Sequence, residues 1–136
     1  MAVEGPSDRA VLVTLCRRLG HAAKAGFADG KDDLFAKFHK ILRVLEVDFD
    51  PTHFLVVPDL HPEMDCAREA ERWRNAIGQR FPRARLCLSI WELEAWLLAD
   101  PRAVAAAFRL REFHHANPDQ VGAQKPSEIL EDAYRR

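Results

Sequence analysis

The chain has 136 residues, of which 48% are hydrophobic and 30% are charged, a balance typical of a folded globular protein. Its formal net charge of -1 argues against a broad basic surface for nucleic acid, but it permits a local basic rim around an acidic site. Three cysteines without a CxxC spacing, Cys16, Cys66 and Cys87, give no indication of a disulfide framework or a zinc site. No signal peptide or membrane span is evident, so the sequence predicts a cytoplasmic protein.

The first predicted elements are a short strand and an amphipathic helix in the segment VEGPSDRAVLV. The strand ends at Val3, and Ser7 or Asp8 can cap the helix that follows. An apolar stripe at helical spacing then runs up to Gly20, which should end the helix. The stripe consists of Val11, Leu12, Leu15, Cys16 and Leu19.

The next predicted elements are a loop, a second helix and a buried strand. Residues 21–33 are interrupted by two glycines and are predicted to be a loop. The apolar side of the second helix is formed by Leu34, Phe35, Phe38, Ile41, Leu42 and Leu45. Residues 47–52 are interpreted as a turn. The segment HFLVVPDLHP, residues 53–62, is short, apolar and continuous, as expected of a strand covered on both faces of a parallel sheet, and the strand is predicted to end at Pro58-Asp59.

Helices and one more strand follow. In chain order they are a helix with Cys66, Ala70, Trp73 and Ile77 on its apolar side, a strand over residues 84–90, a helix over residues 91–100, a helix beginning at Asp100-Pro101, a loop over residues 112–124 and a helix opened by Pro126. Strands alternating with helices predict an α/β fold with a parallel sheet and helices on both faces. Residues 1–136 are expected to form a single domain. Its abrupt ends suggest truncation at the C-terminus and in the first strand.

Acidic residues follow each of the three predicted strands. In chain order they are Glu4; Asp59, with Glu63 and Asp65 beyond it; and Glu92 and Glu94. Because ligand sites in parallel α/β sheets form at the carboxyl ends of the strands, these carboxylates could converge on a hard cation. Magnesium suits such a site, since it takes a few carboxylates, keeps waters and shares phosphate oxygens with a substrate. Glu92 and Glu94 flank an apolar stripe on opposite sides, so only one of them is expected to point at a shared site.

Each acid also has a purely structural explanation. Glu4 could solvate a strand end, and Asp8 could complement the dipole of the first helix. Asp59 could belong to a turn, and Asp65 could cap the third helix. Taken together, the recurrence of acids at the same structural position favours a shared site.

Four motifs in order resemble a TOPRIM domain: VEGPSD before a helix, FLVVPD at a second strand end, WELEAWLLAD and KPSEIL. The TOPRIM fold is shared by topoisomerases, primases and nucleases of the OLD type. The last two motifs narrow the resemblance to a TOPRIM-related bacterial family of unknown function, often encoded beside ATPases in settings that suggest phage defence. The resemblance implies a TOPRIM-like, Rossmann-like fold over nearly the whole chain.

The resemblance also implies roles for individual residues. Glu4 matches the glutamate of the first TOPRIM motif, and Asp8 matches a second acid that OLD-type nucleases place four residues later. Asp59 matches the first aspartate of an Asp-x-Asp pair. The later matches are an acid after the third strand and a lysine that stabilises phosphate charge, namely Glu92 or Glu94, and Lys125.

One residue departs from the TOPRIM pattern. His61 stands where the second aspartate of the pair is expected, in the segment DLHPEMD. We expect Asp65 to replace the missing carboxylate, because the intervening loop is long enough to fold back. Alternatively, His61 could itself bind a metal, which would favour manganese or zinc over magnesium. Otherwise the site is degenerate and does not cut.

The expected function is therefore a magnesium- or manganese-dependent nuclease domain that acts on DNA or RNA, with an ATPase encoded nearby as a partner and a homodimer as its assembly. The ions would be held by Glu4, Asp8, Asp59 and Asp65. A run of arginines could contact phosphates or form a solvated charged face: Arg80, Arg83 and Arg85. The alternative function is a binding or regulatory module that partners an ATPase. A third interpretation is a receiver-like domain that is phosphorylated on Asp59.

Overall fold

The computed structural model describes residues 1–61, 64–114 and 125–135, with the backbone alone for Ile90. The chain, predicted as one domain, forms two compact units. We call residues 1–59 with 64–88 the sheet unit, and residues 60–63 with 89–136 the C-terminal unit. Over the described ranges, no helix is both long enough and apolar enough to cross a membrane.

The fold is α/β, as predicted, and its main sheet is parallel. The elements are β1 (Ala2–Val3), α1 (Pro6–Arg18), β2 (Gly26–Phe27), α2 (Lys31–Phe49), β3 (Phe54–Val57), β4 (Asp59–Leu60), α3 (Cys66–Arg80), β5 (Ala84–Leu86), β6 (Ser89–Ile90), α4 (Glu94–Leu98), α5 (Pro101–Phe108) and α6 (Pro126–Tyr134). The main sheet has the order β2-β1-β3-β5, and β4 pairs with β6 in a separate two-stranded sheet.

The two later segments that were predicted to form strands each contain two short strands. Strand β3 ends at Val57, because Pro58 has no N–H to extend the ladder, so the strand end predicted at Pro58-Asp59 is confirmed; the chain then forms the separate strand β4. The strand predicted over residues 84–90 leaves the main sheet after Leu86 and resumes as β6. The prediction of one continuous strand over residues 84–90 was therefore wrong at the point where the chain leaves the main sheet.

The loop predicted over residues 21–33 was also wrong, because it contains β2. This strand pairs in parallel with β1, in the register Ala2 with Gly26 and Val3 with Phe27. A Cβ atom on Gly26 would lie 2.6 Å from Cγ2 of Ile41 in α2. The glycine that was interpreted as a loop signal therefore permits close packing of a helix on an edge strand.

Helix α1 differs from its prediction at its start and on its apolar side. The cap residue is Gly5, not Ser7 or Asp8, and Pro6 takes the first helical position, where its missing N–H costs nothing. Of the predicted stripe, only Leu12 is classed as buried. The stripe was therefore a poor guide to which residues of α1 enter the core.

The main core lies against one face of the sheet, beneath α2 and α3. The predicted stripe of α2 is confirmed by its buried residues Leu34, Phe38, Leu42 and Leu45. They join a cluster that includes Ala2, Phe54, Val56, Trp73, Ile77, Phe81 and Ala84. Helix α2 continues through the start of the turn predicted over residues 47–52, and ends where Asp50 adopts the left-handed conformation, with a φ of 44°.

Helices cover both faces of the main sheet, as predicted. From β1 the chain crosses through α1 to β2 on one side, and then returns through α2 to β3 on the other side of β1. Because such parallel crossovers are right-handed, this reversal of direction places α1 and α2 on opposite faces. Accordingly, Val3, which points away from its neighbour Ala2, is also fully buried but lies outside the α2–α3 cluster.

In the part of the C-terminal unit that the structure describes, the elements are β6 and the short helices α4, α5 and α6. The helix predicted over residues 91–100 begins only at Glu94, because Trp91 has a φ of 69° and donates its N–H to the Leu60 carbonyl at 2.7 Å. The cap predicted at Asp100 is confirmed, since its Oδ1 accepts two backbone N–H groups from the first turn of α5. The start of α6 at Pro126 is also confirmed.

Candidate acidic site at the carboxyl edge of the sheet

The strand order defines where a ligand site is expected. The chain runs from β1 to one side of the sheet and then to the other, so the direction of the connections reverses between β1 and β3. In open α/β sheets, ligands bind in the crevice outside the carboxyl ends of the strands at this switch point. The first residues after β1 and β3 are therefore the ones to inspect.

Glu4 follows β1 directly, and its side chain reaches the end of β3. Its Oε1 atom accepts a hydrogen bond from the backbone N–H of Asp59 at 2.8 Å. Its backbone carbonyl accepts from the N–H of Gly30, the cap residue of α2, at 3.1 Å. Both Glu4 and Asp59 are half-buried. Two predicted site residues that are 55 positions apart therefore lie at the same edge of the sheet.

Asp8 is held next to this pair by the start of α1. Its Oδ2 accepts the backbone N–H of Gly5 at 2.9 Å, so the carboxylate turns back toward the residue that follows Glu4. This contact satisfies one of the N–H groups that a helix leaves unpaired at its start, and an acid there complements the helix dipole. The structural explanation offered for Asp8 is therefore confirmed, and a role as a metal ligand stays a prediction.

Asp65 caps α3, as its alternative interpretation proposed. Its Oδ1 accepts the N–H groups of Ala67 at 2.9 Å and Arg68 at 3.1 Å. His61 is exposed, and Glu63 lies outside the described residues. A carboxylate has lone-pair capacity for more than these two contacts, so the cap is compatible with the predicted recruitment of Asp65.

The remaining predicted site residues belong to the C-terminal unit. Oε2 of Glu92 accepts the backbone N–H of Ser127 at 3.2 Å and so joins the WELEAWLLAD and KPSEIL motifs. Glu94 lies in the first turn of α4, and Lys125 is the exposed cap residue of α6. The contact of Glu92 was not anticipated, because its partner is a backbone group 35 positions away.

The donor set at the carboxyl edge can be compared with the needs of magnesium. Within the described part of the chain, no group of three or more His, Cys, Asp or Glu side chains is arranged to hold a metal ion. Magnesium, however, is commonly bound through one or two carboxylates, with waters and substrate phosphates completing its shell. Glu4 and Asp59 supply the hard oxygen donors that such a site requires. The residues present therefore fit a cation that is shared with a phosphate-containing substrate.

Sequence reasoning missed Gly30 as a part of this edge. Its N–H binds the carbonyl of Glu4, and its φ of 86° lies in the left-handed region that favours glycine. The signal in the sequence was a glycine immediately before a helical stripe, in the segment DGKDDLF. It was interpreted as loop punctuation because the strand β2 was not recognised.

Comparisons with protein-family models, with curated proteins and with solved structures give no significant match to this chain. The resemblance to TOPRIM domains therefore rests on the four motifs.

Proposed function

We propose that this chain is a magnesium- or manganese-dependent nuclease domain of the TOPRIM type, with Glu4 and Asp59 at the centre of its site. The observation that carries the proposal is the 2.8 Å hydrogen bond from the Asp59 backbone to the Glu4 carboxylate. It lies at the switch point of a parallel sheet, the position at which such sheets bind ligands. The order of the four motifs adds support from the sequence.

Each residue of the proposed site would have a separate role in binding the cation or in cleavage. Glu4 and Asp59, with Asp8 beside them, would hold the cation. The Asp59 N–H orients the Glu4 carboxylate. Glu4 would accept the proton of the attacking water. The family resemblance assigns Lys125 the role of offsetting negative charge at a phosphate. When bound, the cation supplies charge stabilisation to the phosphodiester as it is cleaved.

The proposed substrate is DNA or RNA, and the proposed partner is an ATPase encoded nearby, in a phage-defence setting. The partner and the setting come from the family resemblance alone. The net charge of -1 predicts that nucleic acid is bound mainly at the site, with little affinity from the rest of the surface.

The experiment is a cleavage assay on labelled single-stranded DNA, single-stranded RNA and supercoiled plasmid, with magnesium or manganese. The informative variants are Glu4→Gln and Asp59→Asn. Gln keeps the oxygen that accepts the Asp59 N–H but removes the charge. We expect each variant to lose at least about 100-fold in cleavage rate, since even groups that only support metal ligands commonly cost 10- to 100-fold.

The matched control is Asp48→Asn, which removes an exposed acid near the far end of α2. It should cleave like the wild type. A wild-type protein that cleaves none of the three substrates with either metal, and binds no manganese by calorimetry, would refute the nuclease proposal.

The second candidate is a binding or regulatory module. It is favoured by His61 in place of the second aspartate and by the use of Asp65 as a helix cap. This module would bind metal weakly, and Glu4→Gln would leave its partner binding unchanged. The same calorimetric titration with manganese separates the two candidates.

A further inference from the structure

Lys31 is placed at the carboxyl edge by its backbone. It is the first residue of α2 and directly follows Gly30, whose N–H binds the carbonyl of Glu4 at 3.1 Å. Its main chain is therefore fixed one residue away from a group bonded to Glu4. The sequence alone gives no reason to single out this lysine, because it lies in the segment predicted to be a loop.

The side chain of Lys31 extends from α2 toward the start of α3. Its Nζ atom contacts the Sδ atom of Met64, which immediately precedes the cap residue of α3. Helix α2 packs on β1 and β2, whereas α3 packs on β5, on the other side of β3. The contact between Lys31 and Met64 therefore runs alongside the carboxyl ends of β1 and β3, where Glu4 and Asp59 lie.

The charge of Lys31 is not neutralised by a carboxylate in the described residues. It takes part in none of the ion pairs found there, and a thioether sulfur is only a weak acceptor for an ammonium group with three donors. Lys37, six residues further along the same helix, is different, because it pairs with Asp33 at 2.6 Å and lowers the pKa of that carboxyl. A half-buried ammonium held beside an acidic edge is suited to an anion that approaches the same edge.

We propose that Lys31 contacts a phosphate of the nucleic-acid substrate at the carboxyl edge. This inference rests on the proposed function and identifies a cation for the site that belongs to the sheet unit itself. Glu4 and Asp59 alone would repel a polyanion, and a lysine beside them offsets that repulsion. The opposing possibility is that the side chain only packs against Met64.

The test measures binding of a fluorescent single-stranded DNA oligonucleotide by anisotropy, at several NaCl concentrations and with calcium in place of the active metal. Lys31→Met removes the charge but keeps a long apolar side chain that can pack on Met64. We expect weaker binding, and a salt dependence of log K on log [NaCl] that is shallower by about 0.7, the contribution of one phosphate contact on a single strand. Lys31→Arg should restore the slope, and Lys40→Met, an exposed site on the same helix, should leave it unchanged.

Three outcomes would overturn the inference: the wild type does not bind the oligonucleotide, Lys31→Met leaves the slope of log K against log [NaCl] unchanged, or Lys40→Met reduces that slope as much as Lys31→Met does. If Lys31→Met fails to fold, as judged by its melting curve, Lys31→Gln takes its place. The two proposals fail separately. If Lys31→Met changes the salt-dependence slope but the wild type never cleaves, the nuclease proposal is refuted and the phosphate contact of Lys31 stands. If the slope is unchanged but the wild type cleaves, the phosphate contact is refuted and the nuclease proposal stands.

Discussion

The carboxyl edge of the main sheet, where its parallel strands end, differs from the amino edge, where they begin, in the contacts that its charged side chains make. At the carboxyl edge, the carboxylates of Glu4 and Asp8 accept backbone N–H groups at 2.8 and 2.9 Å. At the amino edge, arginines lie over aromatic rings: the guanidinium of Arg83 is 5.0 Å from the centre of the Phe54 ring, and that of Arg43 is 5.0 Å from Phe81. At the carboxyl edge, backbone N–H groups hold carboxylates in place, whereas at the amino edge guanidinium groups cover phenylalanine rings.

The difference indicates that the carboxyl edge is a candidate site, whereas the amino edge is a surface whose charged residues stabilise the fold. Arg83 pairs with Glu46 at 2.5 Å, and Arg80 donates to the Phe35 carbonyl at 3.0 Å. Both arginines are therefore engaged in contacts within the sheet unit, and Arg83, which directly precedes β5, lies at the amino end of that strand. The contact of Arg80, Arg83 and Arg85 with phosphates stays a prediction.

The largest expected effect is on stability, from Phe81→Ala at the amino edge. Phe81 is 2% exposed and its ring lies 4.9 Å from that of Phe54. Its removal should lower the free energy of unfolding by about 3–5 kcal/mol, as measured by urea titration with tryptophan fluorescence. The control Phe49→Ala, at a half-exposed ring, should cost far less. Loss of cleavage in the folded fraction of Phe81→Ala would show that the two edges are not separate.

The next effect concerns Asp65, which lies at the carboxyl edge and caps α3. Asp65→Ala should lower stability by about 1 kcal/mol through loss of the cap, whereas Asp65→Ser should keep most of the cap. If Asp65 is also a metal ligand, both variants should lose metal-dependent cleavage, and His61→Ala should keep much of it. If Asp65→Ser cleaves at the rate of the wild type, Asp65 is not a metal ligand and serves only as the cap of α3.

A smaller effect is expected from Arg83→Gln. The pair with Glu46 is largely exposed on the arginine side, so its loss should cost at most about 1 kcal/mol. The salt dependence of oligonucleotide binding should not change, in contrast to Lys31→Met. A shallower slope in Arg83→Gln would mean that the amino edge also contacts nucleic acid, and the comparison between the edges would fail.

The smallest effect is on the pH dependence of stability. Burial, followed by the charges of Arg80, Lys40 and Arg43, lowers the pKa of His39 below its usual value of 6.5. The unfolded chain therefore binds a proton more readily than the folded one as the pH falls below 6.5, and stability decreases. Between pH 7.5 and about 5.5, His39→Gln should lose less stability than the wild type in urea titrations. Parallel pH profiles would contradict this.

Local signals were enough to predict several elements. The apolar spacing of α2 indicated its buried face, and the Asp100-Pro101 pair marked the start of α5. Such features depend on neighbours within one or two helical turns. The same reasoning failed for β2 because two residues with a glycine carry no strand signal until β1 is available to pair with them.

The sequence by itself determined the α/β class, the buried strand at residues 54–57 and the occurrence of acids just after successive strands. Tertiary structure alone decided the strand order, and with it the switch point that brings Glu4 to Asp59. It also decided the contact between Lys31 and Met64, which are 33 positions apart. The physical reason is that helix periodicity and capping are properties of a short segment, whereas strand order and side-chain contacts at a sheet edge depend on the packing of segments that are distant in sequence.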